Sequence, residues 1–227
     1  MTKICIFSDT HGQHDLIAVP KADVAIFCGD YTSRNSLYEL DSFATWLGKL
    51  KMPVIFCAGN HDALEHSVKL VKDTLSTLAP NVTYLCHEAT EMFGYKWFTS
   101  PVQPIFCNWH FNVPDDKRGA YWDQIPEDTE ILVTHCPPYG IMDKVVSKSY
   151  YNNLVEYVGD KLLAERIRKL PKLKLHAFGH LHDGGWKGTG TKKPKKFIKK
   201  GTIYVNGSVL NDQYTIEKAY KPIVVEI

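Results

Sequence analysis

The chain has 227 residues, 44% hydrophobic and 12% aromatic, with 27 basic and 25 acidic side chains for a formal charge of +2. That is enough apolar material to bury a core without staples, and it excludes a disordered or fibrous chain as the main state. The near-zero charge removes any bulk electrostatic case for nucleic acid or membrane as a partner, so a basic patch has to be local. Residues 1–227 read as a single domain. Met1 to Thr10 run straight into a strand-like stretch with no long apolar h-region or small-residue cleavage site, and no apolar run approaches the roughly 18 residues that span a bilayer. A cytoplasmic protein is therefore expected. Six scattered cysteines form no Cys-x-x-Cys pair, and Cys5, Cys28 and Cys57 sit inside apolar runs, which suits reduced core thiols.

In chain order, β-branched and aromatic runs predict strands at Ile4–Phe7 and Val24–Phe27. The spacing Leu37, Leu40, Phe43, Leu47, Leu50 predicts a helix, followed by a strand at Val54–Phe56 and a second helix through Val68, Val71, Leu75 and Leu78. Val82–Leu85, Thr90–Phe93 and Lys96–Thr99 then read as antiparallel strands joined by tight turns, one at Gly94-Tyr95. A strand at Ile131–Val133 precedes helical spacing at Leu154, Val158, Leu162, Ile167 and Leu170. Strands at Leu175–Phe178, Ile203–Val205 and Ile223–Val225 complete the chain, with a lysine-rich stretch, Lys187 to Lys200, expected to be a solvated hairpin tip near the site. Strands alternating with helices imply an α/β fold with central parallel strands, and the antiparallel portion makes the sheets mixed.

The residues that carry chemistry stand just beyond the strands. Ile4–Phe7 leads into Asp9-Thr10-His11, Val24–Phe27 into Gly29-Asp30, and Val54–Phe56 into Gly59-Asn60-His61-Asp62. Ile131–Val133 leads into Thr134-His135-Cys136-Pro137-Pro138, and Leu175–Phe178 into Gly179-His180-Leu181-His182. Carboxyl ends of parallel strands share one edge, so five strand ends converge on one site. Asp9, His11, Asp30, Asn60, His61, His135, His180 and His182 are imidazole and oxygen donors without a thiolate, a set that favours Mn, Fe, Zn or a similar divalent ion. There are enough donors for two ions. With carboxylate Asp30 as a bridge, two ions about 3.5 to 4 Å apart clamp the attacking and leaving oxygens of a displacement at phosphorus. Each short motif alone is explained by turn formation or capping, but their joint order is specific.

This series resembles the calcineurin-like metallophosphoesterase superfamily, and its compact spacing is similar to the class III cyclic-nucleotide phosphodiesterase branch. Within that branch, Pro101 to Pro114 and Val205-Asn206-Gly207-Ser208 are similar to the metallophosphoesterase-domain-containing proteins, some of which carry Gly where this chain has His180. The resemblance implies a four-layer αββα sandwich with mixed β-sheets. It implies two divalent metal ions, with Mn expected in vitro and Fe or Zn as alternatives: one held by Asp9, His11, Asp30 and His182, the other by Asp30, Asn60, His135 and His180. It further implies attack by a metal-bridging hydroxide, His61 as the acid that protonates the leaving oxygen, and Asp62 orienting His61. A poor alkoxide leaving group needs such an acid. Two departures, Tyr31-Thr32-Ser33-Arg34 after Asp30 and Ala58 before Gly59, speak against protein phosphatase activity.

The substrate expected is a small-molecule phosphodiester in a nucleotide, with 2′,3′- or 3′,5′-cyclic nucleotides leading, and the protein a monomer or homodimer. Asn108, Trp109 and His110 lie in an aromatic and amide-rich segment able to stack a nucleobase, and Asn206 is read as a structural or substrate-ordering residue. His14, His66, His87 and His176 are read as surface or core histidines. Two other functions stay open: a nuclease drawing short RNA or DNA to Lys187–Lys200, and a non-catalytic protein-binding scaffold, which intact His61 and His180 argue against.

Overall fold

Alternation along the strands decides the layering. The computed structural model describes residues 1–33, 35–62, 68–148, 153–183, 186–187, 195–217 and 221–227. In β1 (Lys3–Phe7), β2 (Val24–Phe27) and β3 (Val54–Phe56), Ile4, Ile6, Val24, Ile26 and Ile55 face one core. Cys5, Phe7, Ala25, Phe27, Val54 and Phe56 face another, against α1 (Leu37–Gly48) and α2 (Val68–Leu78). With β4 (Val82–Tyr84) and β14 (Ile223–Glu226) these strands form a five-stranded sheet, β14-β1-β2-β3-β4, parallel except for β14.

A second sheet has six strands in the order β12-β13-β10-β7-β6-β5, built from β5 (Glu88–Met92), β6 (Tyr95–Ser100), β7 (Ile131–Thr134), β10 (Leu175–Phe178), β12 (Lys196–Lys199) and β13 (Thr202–Asn206). Trp97, Ile131, Val133, Leu175, Ala177 and Val205 meet the first sheet in the shared core. Phe98 and Leu132 face the other way, towards α3 (Asp115–Trp122) and α4 (Lys161–Ile167) through Trp122 and Leu163. The order helix, sheet, sheet, helix is thus the four-layer αββα sandwich with mixed sheets. β8 (Lys144–Lys148), β9 (Asn153–Tyr157) and β11 (Trp186–Lys187) add a small third sheet. Among the described residues no helix is long and apolar enough to cross a membrane, and all six cysteines are free thiols.

Several local readings are corrected. Val82–Leu85 does not start an antiparallel group: β4 pairs in parallel with β3, because α2 carries the chain back as a crossover. The turn after β5 is Phe93-Gly94, both at positive φ (55° and 75°), while Tyr95 already pairs with Met92. This is the two-residue turn whose twist matches a hairpin. Leu154–Val158 is not helical. Its Leu-Val-Glu-Tyr sequence forms β9, and the helix begins only where Asp160 accepts from the Leu162 and Leu163 amides. Of the lysine-rich stretch, residues 188–194 lie outside the described residues, as does His66. The described hairpin turns at Lys200-Gly201, next to the start of β13, whereas the site lies beyond that strand's end at Asn206. Lys196 to Lys200 therefore lead away from the site, while Lys195, whose carbonyl accepts from Asn206 N, stands at the site end of the described strand.

Candidate metal centre

The five strand ends expected to converge come from two sheets, β1, β2 and β3 in one and β7 and β10 in the other, brought to the same end by their common direction. Immediately beyond them the backbone is strained: Asp9, His11, Asp30 and His180 have φ of 56°, 42°, 59° and 68°. Such values are uncommon outside glycine and cluster where function over-determines the chain. Gly29, at φ 103°, is required twice over, since a Cβ there would stand 2.6 Å from His135 Nδ1 and from Gly59 N. At Gly179 a Cβ would collide with Ser8 Oγ and the Asp9 carboxylate.

Backbone carbonyls fix the imidazoles. His11 Nδ1 donates to Thr32 O (3.2 Å), His182 Nδ1 to Asn211 O (3.0 Å) and His135 Nδ1 to Cys28 O (2.8 Å). Because a carbonyl only accepts, each Nδ1 carries a hydrogen, which leaves Nε2 as the atom that a metal would take. Those Nε2 atoms converge. His11 Nε2 lies 3.2 Å from His182 Nε2, which lies 3.7 Å from Asp9 Oδ1. His135 Nε2 lies 2.9 Å from Asn60 Oδ1, 3.2 Å from His180 Nδ1 and 3.3 Å from Asp30 Oδ2. Donor groups gathered this closely suit a shared cation. Donor atoms of Asp9, His11 and His182, and separately of Asp30, His135 and His180, lie within 4.8 Å of one another, as do those of His11, Asp30 and His61.

Asp30 stands between the groups. Its Oδ1 accepts from His61 N (2.8 Å), leaving Oδ2 3.8 Å from His11 Nε2 and 3.3 Å from His135 Nε2. Burial disfavours its charge, but the imidazoles of His135, His11 and His61 outweigh burial and hold its pKa below the ordinary carboxylate range. Burial also opposes charge on His135, yet Asp30 raises it to about 9. Burial lowers His11 to about 4 and, with His135 beside it, His180 to about 3. This oxygen and imidazole donor set, oriented and mostly buried, fits two divalent ions.

Asp62 does not reach the His61 ring. Its carboxylate is fully buried and accepts four backbone amides: Asp30 N and Gly59 N at 2.8 Å on Oδ2, Tyr31 N at 3.1 Å and Thr32 N at 3.3 Å on Oδ1. It therefore ties together the two loops that present Asp30 and Asn60. The His61 ring is placed by its neighbours, lying 3.9 Å (centroid to centroid) from Trp109 at a 36° tilt and edge-on to His11 at 4.6 Å. Its buried Nδ1 has no hydrogen-bond partner among the described residues.

The segment around Trp109 is pinned beside the centre. Asn112 Nδ2 donates to the carbonyls of Phe106 and Cys107, its Oδ1 accepts from Gln103 Nε2, and His110 N donates to Asn60 O. Phe106 stands edge-on to His180 at 5.9 Å, and Asn108 is exposed next to Trp109. Asn206 is fully buried: its Nδ2 donates to Leu181 O (2.9 Å) and Gly179 O (3.4 Å), and its Oδ1 accepts from Ser208 N, which steadies the turn bearing His180 and His182.

Sequence reasoning missed two neighbours. The Tyr214 ring meets His11 and His182 edge-on, both at 4.8 Å, and burial, then the Asp30 and Asp9 carboxylates, push its phenol pKa up. Lys195 donates to the Ser208 carbonyl, and burial lowers its pKa to about 7 against the pull of Asp9 and Asp183. Neither carries a local motif; the Lys-rich bias pointed at Lys195 only collectively.

The sequence pattern of the calcineurin-like phosphoesterases matches residues 2–184. Human metallophosphoesterase domain-containing protein 1 is 32% identical to this chain, over 100% of it and 71% of the human protein. A UPF0046 protein of Caenorhabditis elegans is 28% identical, over 99% of this chain and 80% of its own length. The phosphopantetheinyl hydrolase PptH of Mycobacterium tuberculosis shares the fold, with a TM-score of 0.58 at 14% identity, covering 97% of this chain and 95% of that one. The chain thus belongs to the calcineurin-like phosphoesterase family, whose members generally bind divalent metals.

Proposed function

We propose that this protein is a metal-dependent phosphodiesterase acting on a nucleotide, with 2′,3′- and 3′,5′-cyclic nucleotides as the leading substrates. The observation that carries the reading is Asp30 Oδ2, one carboxylate oxygen facing His11 Nε2 and His135 Nε2 of two separate donor groups. Asp9, His11, Asp30 and His182 would hold one divalent ion, and Asp30, Asn60, His135 and His180 the other, Mn being the ion to supply in vitro. Bound there, the ions supply Lewis acidity, an activated water and neutralisation of the phosphate charge. The chain's own residues do the rest. Asp62 fixes the two loops, the Nδ1 donors of His11, His135 and His182 keep their Nε2 atoms aimed inward, and His61 delivers the proton to the leaving oxygen. Trp109, with Asn108 and His110 next to it, offers a base a surface beside that acid. Residues 1–227 act as one domain, and the six free thiols suit the cytoplasm.

The test is Mn²⁺-dependent hydrolysis of bis(p-nitrophenyl) phosphate, 2′,3′-cAMP and 3′,5′-cAMP, with Asp30→Ala as blank. Turnover lost in the blank is expected, with one or both ions missing from that variant. Two bound ions in Asp30→Ala would refute the bridge, and a metal-loaded wild type without turnover would refute the enzyme.

A further inference from the structure

Tyr214 sits in a turn that holds it with unusual firmness for a half-exposed residue. Asn211 Oδ1 accepts from Gln213 N (3.0 Å) and Thr215 N (2.9 Å), and Tyr214 N donates to Asn211 O (2.9 Å). Gln13 Nε2 donates to Tyr214 O (2.8 Å). The Asn211 carbonyl that closes this turn is also the one that takes His182 Nδ1–H, so the ring and a metal-donor imidazole are positioned by one device. Tyr214 itself has φ 57°, a costly conformation for a bulky side chain. Burial does not account for that cost, because 47% of the residue remains exposed. What the strain secures is a place: edge-on to both His11 and His182 at 4.8 Å, beside the Asp9, His11 and His182 group. Trp109 holds the corresponding place over His61. No ring contact joins Tyr214 to Trp109 among the described residues, so two separate aromatic walls border the centre, one on the acid and one on a metal group.

In a cyclic nucleotide both ester oxygens belong to one nucleoside, but an acyclic phosphodiester has two separate substituents, and only one leaves. If His61 protonates the leaving oxygen, the Trp109 wall belongs to the departing group and the Tyr214 wall is free for the group that stays. We propose that Tyr214 is a specificity-determining residue for acyclic diesters, the ring on which the retained nucleoside rests. The inference builds on the phosphodiesterase reading above. A base stacked on an aromatic side chain gains about 1–3 kcal/mol, equivalent to a preference of about 5- to 150-fold over a small alkyl group.

Two mixed diesters with the same leaving group isolate this effect: thymidine 5′-(p-nitrophenyl phosphate) and methyl p-nitrophenyl phosphate, each with Mn²⁺. Wild type should favour the thymidine diester in kcat/KM by at least fivefold. Tyr214→Leu should lose that preference mainly on the thymidine diester, and Tyr214→Phe should keep it. Equal losses on both diesters, or a Tyr214→Phe as impaired as Tyr214→Leu, would overturn the assignment, as would fewer Mn²⁺ ions bound by Tyr214→Leu, which would make the ring a support for its imidazoles. If wild type hydrolyses neither diester, the enzymatic reading has failed and calorimetry on the Mn²⁺-loaded protein decides the inference. Thymidine 5′-monophosphate should then bind at least fivefold more tightly than methyl phosphate to wild type and not to Tyr214→Leu; no such difference would overturn it.

Discussion

Replacing Asp62 with Asn separates two roles for that residue. The two oxygens of Asp62 each accept two backbone amides, and the pair on Oδ2, from Asp30 and Gly59, are the shorter at 2.8 Å. An asparagine presents one carbonyl oxygen, so two of the four amides face an NH₂ group instead of an acceptor. A buried amide left without an acceptor costs about 1–3 kcal/mol, so two cost about 2–6 kcal/mol in a site with no water access. With a urea slope of about 3 kcal/mol/M for a chain of this size, the unfolding midpoint should fall by about 0.7–2 M. The loops carrying Asp30 and Asn60 loosen together, so Mn²⁺ affinity should drop and hydrolysis should fall equally for good and poor leaving groups. Urea unfolding followed by tryptophan fluorescence and calorimetric Mn²⁺ titration measure both effects. A variant with wild-type stability and metal binding that fails only on alkyl leaving groups would refute this account and return Asp62 to acting through His61.

Other outcomes rest on the same geometry. His61→Ala should slow diesters with alkyl leaving groups by about 10²- to 10⁴-fold and p-nitrophenyl diesters far less, since nitrophenolate needs little protonation; equal losses on both would sink the acid assignment. His176, away from the centre and fully buried, donates from Nε2 to Thr134 Oγ1 (2.8 Å), while Nδ1 has no partner among the described residues, and burial lowers its pKa to about 3. The unfolded chain therefore takes up a proton near pH 6.5 that the folded chain refuses, so stability present above that pH is lost as pH falls towards 3, by about 2 kcal/mol at pH 5. His176→Phe should flatten that part of the urea-midpoint profile between pH 7 and 5; an unaltered slope would show that other groups carry it.

Much of the centre was legible because each donor follows its own strand within a few residues. Asp9 and His11, Gly29-Asp30, Asn60-His61, His135, and His180 with His182 mark themselves through strand-end chemistry that local sequence records. The role of Asp62 was not legible. A carboxylate one residue after His61 invites a pairing with that ring, yet its acceptors are claimed by amides from residues 30–32 and 59, and only chain packing reveals such competition. Tyr214 lay hidden for the same reason, standing in a turn with no motif of its own.

The sequence by itself determined the period-two strands, the two N-terminal helices, the order of donor residues and the family to which they belong, because these depend on neighbours along the chain. Tertiary structure alone decided that the strand ends come from two sheets, that β4 runs parallel to β3, and that Leu154–Tyr157 extends as a strand. It also decided which nitrogen of each imidazole is available, because the carbonyl partners of His11, His135 and His182 lie 21, 107 and 29 residues away. Contacts at such separations are selected by burial and hydrogen-bond satisfaction across the whole core, which no local pattern encodes.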